Sequence, residues 1–134
     1  KNEIKLILNN LNLPSDSQFL NSYPSQLSGG QLQRISIARS LLLKPKILIC
    51  DESVNMLDAH IKIEILDLLR QIQDKMNLSI IFITHDLRIA KNFCNRLLVM
   101  NYGKIVEEGD SSTIFSSPKN NITKALVASS LNLN

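Results

Sequence analysis

Leu27-Ser28-Gly29-Gly30-Gln31-Leu32-Gln33-Arg34 is the stretch around which the chain is organised. Ser28 followed three residues later by Gln31 has the form of a capping box, so a helix is expected to start here. Leu32, Ile35, Ala38 or Arg39, and Leu42 continue at helical spacing. The first turn nevertheless holds Gly29 and Gly30, and each glycine inside a helix costs about 1 kcal/mol against alanine. A helix start alone does not call for them. Glycines there leave the free N–H groups of the helix bare, so another backbone or an anion can come close. The plainer alternative is a flexible helix start.

Downstream, Pro45 is expected to end this helix near Leu43, because Lys44 before a proline is pushed away from helical angles. Lys46-Ile47-Leu48-Ile49-Cys50 is a continuous apolar run ended by Asp51-Glu52. It reads as a buried parallel strand with carboxylates at its C-terminal end, where open α/β sheets place ligands. Asp58 can cap a helix from about Ala59 to Met76, with its stripe at Ile61, Ile65, Leu68, Leu69, Ile72 and Met76. Ser79 to Thr84 reads as a second buried strand with His85 just past its end, and Asp86 caps a short helix through Phe93. A helix between two apolar strands is the βαβ pattern, so an α/β fold with a parallel sheet is expected. Leu97–Asn101 and Lys104–Glu108 flank Tyr102-Gly103 as a hairpin. Asp110 can cap a short helix to about Phe115. Pro118 breaks the chain, and Ile122 to Leu131 form a terminal helix.

Upstream, Ile4, Ile7, Leu8 and Leu11 share one face of a helix over residues 2–11, which Asn12-Leu13-Pro14 stops. Residues 14–26 are polar and read as a loop.

Bulk composition narrows the class. The chain has 134 residues, 44% of them apolar and 20% charged, which is ordinary for a globular domain or part of one. No apolar run reaches the roughly 18 residues of a membrane span. No signal peptide is visible. The net charge of +3 is mild and the basic residues are scattered, so nothing points to a nucleic-acid surface. Cys50 and Cys94 lie in apolar surroundings without ligand spacing and read as small buried hydrophobes in a reducing compartment.

Single residues carry weak signals on their own. Asp51-Glu52 can be a strand ending in solvated acids. A lone histidine in a loop, such as His85, is usually without a role. Asp58 is equally well a helix N-cap, and that is compatible with a further role.

Their order carries more. The octapeptide 27–34 resembles the signature motif of the ABC (ATP-binding cassette) ATPases. Asp51-Glu52 after its strand resembles a Walker B motif with the adjacent catalytic acid, Asn55-Met56-Leu57-Asp58 the D-loop, and Thr84-His85-Asp86 the switch histidine. The hairpin with Gly103 and Gly109 follows, in the family's order and with family-like gaps. The resemblance covers nearly the whole chain. It implies the C-terminal part of a P-loop NTPase (RecA-like) ABC cassette with part of the helical subdomain. Residues 1–44 would belong to the helical signature subdomain, 45–109 to the α/β ATPase core, and 110–134 to a C-terminal helical tail.

The same resemblance implies ATP and Mg²⁺ as cofactors. Asp51 would hold the ion mostly through water, Glu52 would polarise the attacking water, and His85 would contact that water and the γ-phosphate. Ser28, Gly29, Gly30 and Gln31 would press on the γ-phosphate of ATP held by a second ABC ATPase subunit, identical or paralogous, with Asp58 shaping the interface and the water site. Further partners implied are membrane permease subunits and, indirectly, an extracytoplasmic substrate-binding protein, with no nucleic acid. The location implied is peripheral, on the cytoplasmic face of the cell membrane. Tyr23-Pro24, Ser117-Pro118 and Thr123-Lys124-Ala125-Leu126 resemble the importer branch for oligopeptides, dipeptides and nickel. Lys119, Asn120, Asn121 and Ile122 replace the usual middle of that branch's tail motif.

Departures from the family pattern matter as much. These residues contain no G-x-x-x-x-G-K-[ST] loop to cradle phosphates and no glutamine-containing loop, and both are expected upstream of Lys1. Ser53 stands where proline or alanine is frequent. Asn55-Met56 replace Ser-Ala, and the bulkier Met56 bears on the dimer contact. The chain alone is therefore expected neither to bind ATP tightly nor to hydrolyse it. As a whole folded unit it would leave an unpaired strand edge and dissolve poorly. Two other functions compete: a soluble ABC ATPase acting on nucleic acid or ribosomes, and a degenerate interaction module. Ser-Gly-Gly-Gln with no heptad run favours transport over the first. Retention of Asp51, Glu52 and His85 together argues against the second.

Overall fold

Helix starts and stops in this chain follow from a few side chains. In the computed structural model, which describes residues 2–54 and 57–131, helix α1 spans Asn2–Asn10 and buries Leu8. Asn12, with φ of 51°, turns the chain out of it. Asp16 then accepts a hydrogen bond from the Phe19 N–H at 2.9 Å and starts α2, Ser17–Leu20. A 3₁₀ turn follows at Pro24–Gln26. The stretch expected to be a loop thus holds two short helical pieces. A four-residue helix is too short to leave a periodic pattern.

Ser28 caps α3, Gly29–Leu41, as the capping box predicts. The helix ends two residues before the expected Leu43, and Lys44 ahead of Pro45 sits at φ of 49°. Strand β1, Ile47–Asp51, and helix α4, Ala59–Met76, follow. Helix α4 buries Ile65, Leu68, Leu69 and Ile72 of the expected stripe. Asn77 closes it in the left-handed conformation that asparagine tolerates at a helix end. Strand β2, Ser79–Ile83, is the hydrogen-bonded neighbour of β1. The β-α-β order is therefore as expected.

The burial of these strands differs from expectation. Ile47 and Ile49 of β1 are 55% and 63% exposed, while Leu48 and Cys50 between them are buried. Strand β2 likewise alternates between exposed and half-buried residues. The apolar runs are continuous, yet only one face is covered, because this sheet has two strands and few elements to cover them.

The chain divides into two compact units, Lys1–Ile81 and Phe82–Asn134. In the second, Asp86 caps α5, Leu87–Phe93. Strands β3, Arg96–Asn101, and β4, Lys104–Asp110, pair antiparallel with Asn101 opposite Lys104. Their turn places Tyr102 at φ of 45° and Gly103 at φ of 74°, the two left-handed residues of a tight hairpin. A bulge falls between Val99 and Met100. Helix α6, Ser111–Ser116, packs Ile114 with Ala90, Leu97 and Val99 into a small core. Asp110 stands at its N-cap without a side-chain capping bond, unlike the expectation. Helix α7, Asn121–Leu131, closes the unit.

Cys50 is buried, and burial pushes its thiol above the ordinary range. Cys94 is half-buried against the small core rather than fully buried. Among the described residues, no helix is long and apolar enough to cross a membrane.

Candidate functional site

At the start of α3 the four candidate residues form one closed turn. The Gln31 N–H donates to Ser28 Oγ at 3.2 Å, and the Ser28 N–H donates to Gln31 Oε1 at 2.9 Å. Both halves of the capping box are made. Ser28 and Gly29 are exposed, whereas Gly30 is buried. A Cβ on Gly30 would lie 3.0 Å from Ile61 Cγ2, and one on Gly29 would lie 3.7 Å from Leu57 Cδ2. Gly30 thus has a packing role that the sequence did not reveal: its bare Cα lets α3 lie against the first turn of α4. One helical turn further, Arg34 donates to Glu64 Oε2 at 2.5 Å, and His60 approaches the other oxygen of Glu64 at 3.1 Å. This clasp between α3 and α4 was also invisible in the sequence, since its partners lie 30 residues apart.

The structure thus brings the 28–31 turn and the residues flanking Asp58 together. Asp58 is exposed at the N-cap of α4, yet its side chain makes no capping hydrogen bond, so the capping role read from the sequence does not hold. Asn55 and Met56 lie outside the described residues.

Asp51 ends β1 and is exposed, as is Glu52. Glu52 has φ of 45°, a left-handed backbone that costs a non-glycine residue about 1–3 kcal/mol. Strained residues of this kind cluster at functional sites. Among the described residues, no group of three or more His, Cys, Asp or Glu is placed to hold a metal ion. A single exposed carboxylate at a strand end still suits Mg²⁺, which takes oxygen ligands and keeps several waters.

His85 belongs to the second unit and is exposed. It is the middle residue of a turn fixed on both sides. Thr84 Oγ1 accepts from the Asp86 N–H at 3.0 Å, and Asp86 Oδ1 accepts from the Arg88 N–H at 3.0 Å. Partial burial pushes the Asp86 carboxyl up. The Arg88 N–H and guanidinium outweigh this and hold it below the usual carboxylate range. A polar depression of about 530 Å³ lined by Ser17, Gln18, Asn21, Ser22 and Gln26 holds none of these candidates.

Residues 1–55 match the family model described as ABC transporter. The mixed α/β architecture is consistent with the C-terminal part of a P-loop NTPase cassette. The chain is 50% identical over 106 residues to the methionine import ATP-binding protein MetN 2 of Oceanobacillus iheyensis, a stretch covering 79% of this chain and 31% of that protein. It is 46% identical over 128 residues to MetN of Helicobacter acinonychis, covering 95% and 39%. It is also 46% identical over 111 residues to the peptidoglycan transport ATP-binding protein YejF of Agrobacterium fabrum, covering 83% and 20%. The chain therefore spans between about a fifth and two fifths of the length of these curated relatives.

Proposed function

We propose that these residues are the C-terminal part of the ATPase subunit of an ABC importer, whose complete form hydrolyses ATP to drive uptake. The likeness to proteins named as import ATP-binding subunits, at 50% identity over 79% of the chain, carries this reading. The cargo follows their names: methionine, or an amino acid like it. The tail features resembling oligopeptide and nickel importers find no counterpart in those names, and one relative is named for peptidoglycan transport instead. Residues 1–44 form part of the helical subdomain, 45–109 part of the ATPase core, and 110–134 the tail.

Bound Mg-ATP supplies the phosphoryl group and the charge neutralisation for its transfer to water. Asp51, exposed at the end of β1, would hold the ion, mostly through water. Glu52 takes a proton from the attacking water, held in place by its strained backbone. His85 orients that water and the γ-phosphate from its fixed turn. Ser28, Gly29, Gly30 and Gln31 serve the site of a second subunit, with Asp58 beside them at the interface. The sequence of these residues offers no glycine-rich phosphate cradle, so this chain alone holds nucleotide weakly. Permease subunits at the cytoplasmic face of the membrane complete the assembly.

Titration of the 134-residue chain with a fluorescent Mg-ATP analogue is expected to show no saturation at millimolar nucleotide. Tight binding abolished by Asp51→Ala would overturn the half-site reading. In the complete gene product, Glu52→Gln is expected to lower ATP turnover by about 100-fold or more, the scale of a lost general base. Unchanged turnover would remove Glu52 from the mechanism. Loss of methionine uptake in cells without the gene tests the cargo.

A further inference from the structure

We infer that Glu64 is a positioning residue, which acts through Arg34 to fix the register of α3 against α4 and thereby serves the site of the second subunit. The inference rests on the importer-ATPase reading. Its ground is a pair of contacts on successive turns of the two helices. Gly30 meets Ile61, with 3.0 Å between its would-be Cβ and Ile61 Cγ2. One turn further along both helices, the Arg34 guanidinium donates to Glu64 Oε2 at 2.5 Å. Steps of three and four residues stay on one helix face, so both contacts lie on one seam. The apolar contact is non-directional and lets the helices slide. The ion pair does not, because a guanidinium and a carboxylate meet at a fixed distance and orientation. His60, one turn before Glu64, approaches the other carboxylate oxygen at 3.1 Å and holds it from the α4 side. Arg34 in turn depends on Glu64. Its side chain is 16% exposed, and its Nε is buried without a hydrogen-bond partner. Without the carboxylate the guanidinium would have to reach water, and α3 would have to shift to let it. The pair thus sets Ser28 at the start of one helix against Asp58 at the start of the other.

The test uses the complete gene product carrying Glu52→Gln, so that bound Mg-ATP is not consumed. Into it go Glu64→Ala, Arg34→Met, and the two together. Two quantities are read: the affinity of the separate subunit for Mg-ATP, and the ATP-dependent association of subunits by analytical ultracentrifugation. Glu64→Ala should leave the first unchanged, because Asp51, Glu52 and His85 lie outside the seam. It should weaken the second by about tenfold or more, the scale of a charge left unpaired and largely out of water. With Arg34→Met already present, Glu64→Ala should weaken association no further, since residues that act as one pair do not add. Should Glu64→Ala fail to fold, Glu64→Gln, which keeps the shape and loses the charge, is read in the same way. Unchanged association would overturn the inference. So would a fall of both quantities in step, which is the mark of a merely structural role, or losses from the two substitutions that multiply in the double variant. A parent subunit that neither binds Mg-ATP nor associates with it would overturn the importer-ATPase reading itself, and the inference with it.

Discussion

Glu52 holds a backbone angle that glycine takes more cheaply. At φ of 45° its Cβ crowds the backbone, and glycine removes that crowding. Glu52→Gly is therefore expected to raise the free energy of unfolding by about 1 kcal/mol in urea denaturation of the chain. A fall in stability would mean the glutamate side chain holds the turn by more than the strain it imposes. The two glycines of the α3 turn separate in the same way. Gly29 has room for a methyl group, so Gly29→Ala should stabilise by about 0.5–1 kcal/mol through helix propensity. Gly30 has Ile61 at 3.0 Å from its would-be Cβ, so Gly30→Ala should be destabilising by about 1–2 kcal/mol through overpacking, net of the propensity gain. Equal shifts for the two in thermal unfolding would contradict the packing role assigned to Gly30. The sequence made both glycines conspicuous at a helix start. It could not separate them, because Ile61 lies 31 residues on and only the packing of α3 on α4 brings it near.

Helix α7 depends on a side chain from a different element. Glu107 of β4 accepts the Lys119 N–H at 2.8 Å and the Asn120 N–H at 2.9 Å, while Asn120 Oδ1 accepts the Ile122 N–H at 2.9 Å. The Thr123 hydroxyl beside it, though short of hydrogen-bond geometry, and these two N–H groups hold the Glu107 carboxyl below the usual carboxylate range. A folded-state pKa below the unfolded one stabilises above the unfolded value, about 4.3, and that contribution is lost as pH falls through the folded value. Amide exchange in α7 should therefore quicken on acidification in that window. Glu107→Gln should loosen the start of α7 at neutral pH and remove that acid response; an unchanged response would assign it elsewhere. Elements with a long periodic signal were legible in the sequence: α4 spans Ala59–Met76 as read. The start of α7 was legible too, but the carboxylate that holds the two residues before it was not, since Glu107 reaches them only through the fold. Helix α2 went unseen because its four residues complete barely one turn.

At the scale of the molecule, the two-stranded β1–β2 sheet presents Ile47, Ile49, Ile81 and Ile83 outward. An apolar run read from sequence does not say whether one face or both are covered, which is why the strands read as buried. Exposed β-branched strips of this kind drive association. Ile47→Thr with Ile49→Thr keeps strand propensity and should raise the concentration at which the chain scatters light. Its stability should change by no more than about 0.5 kcal/mol, as for other exposed positions. No gain in solubility would shift the liability to another surface. The candidate site was legible as an order of motifs, and its geometry was not. The Ser28–Gln31 box could be written down from two letters, whereas the left-handed Glu52 and the Arg34–Glu64 clasp needed coordinates. The aromatic inventory has a practical consequence. The chain has two tyrosines and no tryptophan. Tyr23, 73% exposed, stands in the first unit five residues ahead of Ser28, and Tyr102, 96% exposed, sits at the hairpin tip of the second. Emission excited at the tyrosine band thus comes from one fluorophore in each unit. A Tyr102→Phe chain would be an optical reporter, free of added dye, on the approach to the Ser28 turn.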